Sequence, residues 1–191
     1  MEPRGVVQRL PDSDVDGRRS MGMTLFLVSS TMMFGGLLLL HALLRRDAAA
    51  WPRPDAVPLA LAATAAIAAS SATLEAGVRA VLRARPRHLP RWLFATIALG
   101  LAFLAIEVCI WIHLWRGGFV PGSPPSGTFY FLTTFHFAHV VIAIGLLAWL
   151  VPGALHERYH ANEHVRVRLV ARFWHFLGIN WALLFLALFV L

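Results

Sequence analysis

Residues 92–115 read WLFATIALGLAFLAIEVCIWIHLW, a run of twenty-four positions in which Glu107 is the only Asp, Glu, Lys or Arg. At about 1.5 Å per residue such a helix reaches about 36 Å, more than the roughly 30 Å of hydrocarbon in a bilayer. A helix is the form that can cross it, because it closes its own backbone hydrogen bonds where water is absent. Four further stretches have the same character, so the expected spans run from Gly22 to Leu44, Val57 to Val78, Trp92 to Trp115, Gly127 to Val151 and Leu169 to Leu191. The fold class read from them is an all-α membrane protein, a bundle of five transmembrane helices.

Composition agrees with that reading. The 191 residues are 58% hydrophobic and 14% charged, against about 25% charged in ordinary soluble domains. The connections RRDAAAWPRPDA, RAVLRARPRHLPR, RGGFVPGSPPS and PGALHERYHANEHVRVR are too short for a second domain. The organisation expected is a polar, flexible tail over residues 1–20 and one membrane domain over residues 21–191. The tail lacks the apolar stretch of a signal peptide, so the first span is expected to stay attached. All seventeen basic residues are Arg, and the net charge is +7. They fall in short segments between apolar runs and do not line one face of a domain, which excludes a nucleic-acid-binding reading.

The arginines orient the chain. Arg4, Arg9, Arg18, Arg19, Arg79, Arg83, Arg85, Arg87, Arg91, Arg158, Arg166, Arg168 and Arg172 fall on one side, and Arg45, Arg46, Arg53 and Arg116 on the other. The cytoplasmic side carries the excess in membrane proteins, which puts the N-terminus in the cytoplasm and the C-terminus outside. Trp51, Trp92, Trp115 and Trp149 stand near helix ends, as interfacial anchors do. The second span, LALAATAAIAASSATLEAG, is almost all small residues, the composition that lets helix backbones approach closely in lipid.

Polar residues at membrane depth are the candidate functional groups, since each costs a few kcal/mol to insert. Glu107 stands near mid-membrane, and its ordinary reading is a carboxyl kept neutral or hydrogen-bonded by burial, ahead of a proton relay or a lipid contact. Glu75 reads as an interfacial cap. His136 and His139 share a helix face, and His175 stands at similar depth on the next helix, so the three could converge. Hydrogen bonding between helices is favoured over haem or metal ligation, because haem b needs facing His pairs that the other helices do not provide. His41 and His113 read as interfacial. His156, His160 and His164 recur at four-residue spacing and form a weak zinc or copper candidate, with a solvated cytoplasmic face the stronger reading. Cys109 is a lone thiol in an apolar run, so no disulfide framework is expected.

At these positions the chain resembles subunit III of the haem-copper cytochrome c oxidases in its five-helix bacterial form. FWHFLGINWALLFLALFVL (residues 173–191) is similar to the family's YWHFVDVVWLFLF, with Trp174 and His175 in its WH pair, and His164 stands where the family has a His before that helix. GTFYFLTTFHFAHVVIAIG (residues 127–145) resembles SxFFxxTGFHGxHVxxG and puts His136 and His139 at its two histidines. RRSMGMTLFLVSSTMMFGG (residues 18–36) resembles GMxLFIxSExxFF, and LFATIALGLAFLAIE (residues 93–107) resembles TxxLGxxFxxxQ. The departures fall on acidic positions. The family carboxylate of the first helix is Ser30 here, the Asp after WHF is Gly178, the family Gln is Glu107 with Ile110 at the acidic position after it, and a later Glu is Arg168.

The resemblance implies a non-catalytic accessory subunit of a terminal oxidase in the bacterial inner membrane. Such a subunit holds no haem or copper, which belong to the catalytic subunit I beside it; subunit II completes the complex. It implies a V-shaped cleft between the first two helices and the other three, filled by phospholipid, that supports oxygen access and stabilises subunit I. His136, His139, His175, Trp174, Glu107, His164 and Arg158 are the structural or lipid-cleft candidates, with no catalytic residue. The missing carboxylates argue against transferring the family's proton-handling role. The alternatives are a homologue serving a nitric oxide reductase or other respiratory complex, a haem b electron carrier, and a transporter, the last disfavoured by the lack of internal symmetry.

Overall fold

The computed structural model describes residues 12–48, 50–159 and 165–191, with side chains from Gly17 onward. Five helices follow in chain order: α1 (Asp12–Asp47), α2 (Val57–Leu82), α3 (Leu89–Arg116), α4 (Pro124–Leu155) and α5 (Val165–Phe185). A 3-10 turn, Pro86–His88, leads into α3, and a π-helical turn, Leu186–Val190, completes α5. Among the described residues there is no strand. Five segments of 26 to 32 residues are long and apolar enough to cross a membrane, and each contains the span expected from the sequence to within one residue. The chain is a multi-pass helical membrane protein. Helix α1 starts at Asp12, so its first turns extend into the segment read as a tail.

Local chemistry sets the helix ends. Proline occupies the first turn of α2, α3 and α4, where its missing N–H is one the helix could not have used. Ser123 precedes α4, and its N–H donates to Ser126 Oγ at 3.4 Å. The C-termini of α2 and α4 close alike. Ala84 and Glu157 take left-handed φ values of 54° and 52°. The following N–H groups turn back, Arg85 to Ala80 O and Arg158 to Gly153 O, both at 2.9 Å. Such a cap satisfies carbonyls the helix leaves over. Arg87 Nε donates to Glu157 Oε1 at 3.1 Å and ties these two loops together at the same end of the bundle.

The closest helix pair is α2 with α3. Small residues of α2 permit it: a Cβ on Gly77 would stand 3.1 Å from Trp92 Cβ, and Ala60, Ala63 and Ser70 are fully buried. Thr73 Oγ1 and Thr96 Oγ1 hydrogen bond across this seam at 2.9 Å. Helix α5 lies against both α2 and α4. Two indoles fix it on α2, Trp174 Nε1 donating to Ser70 Oγ at 3.0 Å and Trp181 Nε1 to Thr64 Oγ1 at 2.9 Å.

Helix α1 docks on α4 and α5 and shares no packed face with α2. The pairing of the first two helices implied by the resemblance therefore does not form, nor does a cleft between that pair and the rest. The reason lies in the side chains: α2 spends its small-residue face on α3 and α5, while α1 inserts Phe26 and Phe34 among the rings of α4 and α5. The remaining face of α1 is open, with Met32 74% exposed.

Candidate functional site

The polar residues that matter are enclosed in a layer across α2, α3, α4 and α5. His136 is 0% exposed. Its Nε2–H donates to Leu177 O at 3.1 Å, and its ring lies 5.7 Å from Phe103, 5.5 Å from Trp181 and 6.4 Å from Phe34. His139, one turn along α4, donates from Nδ1 to Phe135 O at 2.7 Å and faces Phe34 and Phe26 of α1. Both imidazoles have a packing and hydrogen-bonding role in this arrangement.

His175 does not join them. It stands on α5 with Nε2 3.8 Å from Glu75 Oε2 of α2, half-exposed, and Glu75 also accepts from Arg79 Nε at 2.8 Å. His175 and Leu177 are two positions apart and point about 200° apart around the helix, so the face that meets His136 turns His175 away. His136, His139 and His175, which the sequence left free to converge, are therefore not brought together, since His175 faces Glu75. Among the described residues no group of three His, Cys, Asp or Glu side chains could hold a metal ion.

Trp174 stands next to His175 on α5. It is fully buried and bonded to Ser70. Its ring occupies the space over Gly100, where an added Cβ would come within 2.6 Å of it. Glu107 is 1% exposed, and among the described residues neither carboxyl oxygen has a hydrogen-bond partner. Ser30 of α1 is 5% exposed. A Cβ at Gly178 would meet Ser71 Oγ of α2 at 3.4 Å. Arg158 and His156 are exposed at the end of α4, His156 donating from Nδ1 to Pro152 O at 2.7 Å. His160 and His164 lie outside the described residues.

Several contributors escaped the sequence reading. His41, read as interfacial, is buried, hydrogen bonded to Thr128 Oγ1 at 2.9 Å and edge-on to Trp51. Asn180 is 5% exposed with an unpartnered Nδ2. Thr64, Ser70 and Thr133 receive the indole N–H groups of Trp181, Trp174 and Trp111. The seven-residue spacing of Trp174 and Trp181, which puts two large donors on one face of α5, is the signal that finds the first two. A buried indole seeks an acceptor, and the small hydroxyl residues of α2 supply one.

Comparison with known proteins follows the same lines. The family model for cytochrome c oxidase subunit III matches residues 12–191. Cytochrome c oxidase subunit 3 of Thermostichus vulcanus is 31% identical over 182 residues, covering 91% of this chain and 87% of the relative. A probable cytochrome c oxidase subunit 3 of Nocardia farcinica is 29% identical over 189 residues, covering 96% and 93%. Cytochrome c oxidase subunit 3 of a Synechocystis species is 30% identical over 183 residues, covering 91% and 76%.

Proposed function

The chain belongs to the cytochrome c oxidase subunit III family, and on that footing we propose that it works as a scaffold beside the oxidase chemistry, taking no part in the electron transfer itself. It is an accessory, non-catalytic member of a multi-subunit haem-copper oxidase. Its neighbours in this reading are the catalytic subunit I, which carries haem and copper, and subunit II. The membrane is the bacterial inner membrane, with the N-terminus in the cytoplasm. The observation that supports a scaffolding role best is where the interior polar groups are spent. His136, Trp174 and Trp181 each tie α5 to another helix, and the ring of His136 is walled by Phe34, Phe103 and Trp181.

Phospholipid belongs to this reading, at a different place from the cleft implied by the resemblance. Between the C-terminal parts of α1 and α5 runs a groove of about 620 Å³, lined by Leu38, Ala42, Leu183, Leu186 and the cationic Arg45 and Arg46. Apolar walls under a guanidinium suit an acyl chain below a phosphate. Purified oxidase stripped of this chain tests the role. The haem spectrum is expected to stay unchanged while activity decays faster over repeated turnovers. Undiminished activity and lifetime would remove the supporting role.

One observation favours a second reading. Ser30, which the resemblance sets at the position of the family carboxylate, is a buried serine of α1, and this leaves room for service in a nitric oxide reductase or another respiratory complex. The catalytic subunit that co-purifies with the tagged chain distinguishes the two.

A further inference from the structure

The register of the helices brings three incompletely paired polar side chains to one level of the membrane. Trp111 Nε1 of α3 donates to Thr133 Oγ1 of α4 at 3.1 Å, and Phe103 of α3 rests on His136 of α4. Glu107 lies between Trp111 and Phe103, one turn from each, and so stands level with His136. On α5, His136 touches both Leu177 O and the ring of Trp181, and Asn180 falls within that turn. Among the described residues, both oxygens of Glu107, Nδ1 of His136 and Nδ2 of Asn180 are buried without a hydrogen-bond partner.

The donors around them are already used. The indole of Trp111 is committed to Thr133, whose hydroxyl donates to Phe129 O at 2.9 Å. The indole of Trp181 is committed to Thr64, whose hydroxyl donates to Ala60 O at 2.8 Å. With Nε2–H given to Leu177 O, Nδ1 of a neutral His136 ring is an acceptor. No oxygen of the Glu107 carboxyl lies within hydrogen-bonding reach of that nitrogen or of Asn180 Nδ2, so no direct bond joins them. A small group that both gives and receives hydrogen bonds completes the set, and water is such a group. Ordered buried waters typically make about three such bonds.

We propose that Glu107, His136 and Asn180 hold an ordered water molecule between α3, α4 and α5, donating to the carboxyl and to His136 Nδ1 and accepting from Asn180 Nδ2. This is a hydration site inside the bundle, and it accounts for a carboxyl at a position enclosed from both lipid and solvent.

A cryo-EM map of the intact native complex, at a resolution that shows ordered waters, tests it directly. Expected is a peak within about 3 Å of the Glu107 carboxyl and of His136 Nδ1 or Asn180 Nδ2. A direct bond between Glu107 and His136, or no peak in a map that shows waters elsewhere, overturns the proposal. Glu107→Leu and Glu107→Gln in the same complex give a second reading. With the water in place, Glu107→Leu strands His136 and Asn180 and lowers the thermal midpoint by several degrees, whereas Glu107→Gln keeps the peak and stays near the parent. If Glu107→Leu raises the midpoint, the carboxyl was simply unpaired and no water is held. Where Glu107→Leu fails to assemble, the map of Glu107→Gln decides, since loss of the peak there counts against the site.

Discussion

A single indole shows how this chain spends its polar groups. Trp174 N–H is buried and has Ser70 Oγ as its acceptor. Ser70→Ala removes that acceptor and leaves a dry N–H, so a loss of about 1–3 kcal/mol is expected. The readout is the thermal midpoint of the purified complex, which should fall while its haem spectrum keeps its shape. The same ring sets the sign at Gly100. Exchanging a helical glycine for alanine normally gains up to about 1 kcal/mol, but here the Cβ would press within 2.6 Å of Trp174. Overpacking a rigid aromatic costs about 1–3 kcal/mol, so Gly100→Ala is expected to destabilise. A raised midpoint would mean that the indole can move aside. His136 and Trp174 were legible as site candidates in the sequence, but their partners were not, because a hydroxyl on α2 and a carbonyl on α5 carry no mark of what will face them.

Among the elements, α5 and α1 are held in different ways. Two indole bonds, six to seven residues apart, fasten α5 to α2 through Ser70 and Thr64. They share no partner, so the losses from Ser70→Ala and Thr64→Ala are expected to add within about 0.5 kcal/mol. A double-mutant cycle that departed further would show that the seam acts as one unit. Helix α1 buries less of its surface than α3 and is held by the ring contacts of Phe26 and Phe34, the bond from His41 to Thr128 and that from Arg45 to Leu191 O. Hydrogen exchange in the intact complex should therefore protect α3 more strongly than α1, unless a neighbouring subunit covers the open face that contains Met32. Helix boundaries followed from proline and apolar length, with one exception. Helix α1 runs back to Asp12 through residues that a hydropathy reading leaves outside the membrane, since a helix needs satisfied backbone groups and does not need apolar side chains where water is present.

For the molecule as a whole, the arrangement predicts a chain without a chromophore of its own. The isolated subunit should show no Soret band in stoichiometric amount; such a band would return the haem-carrier reading to first place. Apolar runs of twenty or more residues fixed the number of spans from the sequence alone, because hydrocarbon leaves the backbone no other hydrogen-bonded form. Local motif spacing was equally legible, and it pointed to the family before any contact was known. Which helix lies beside which was decided only in three dimensions. Contact between helices depends on the rotational phase of every face at once, and in lipid no contrast between apolar and polar sides reports that phase. That is why α1 stands against α4 and α5, where the resemblance implied a cleft setting it apart with α2, and why His175, one residue from Trp174, meets Glu75 on α2 and not His136.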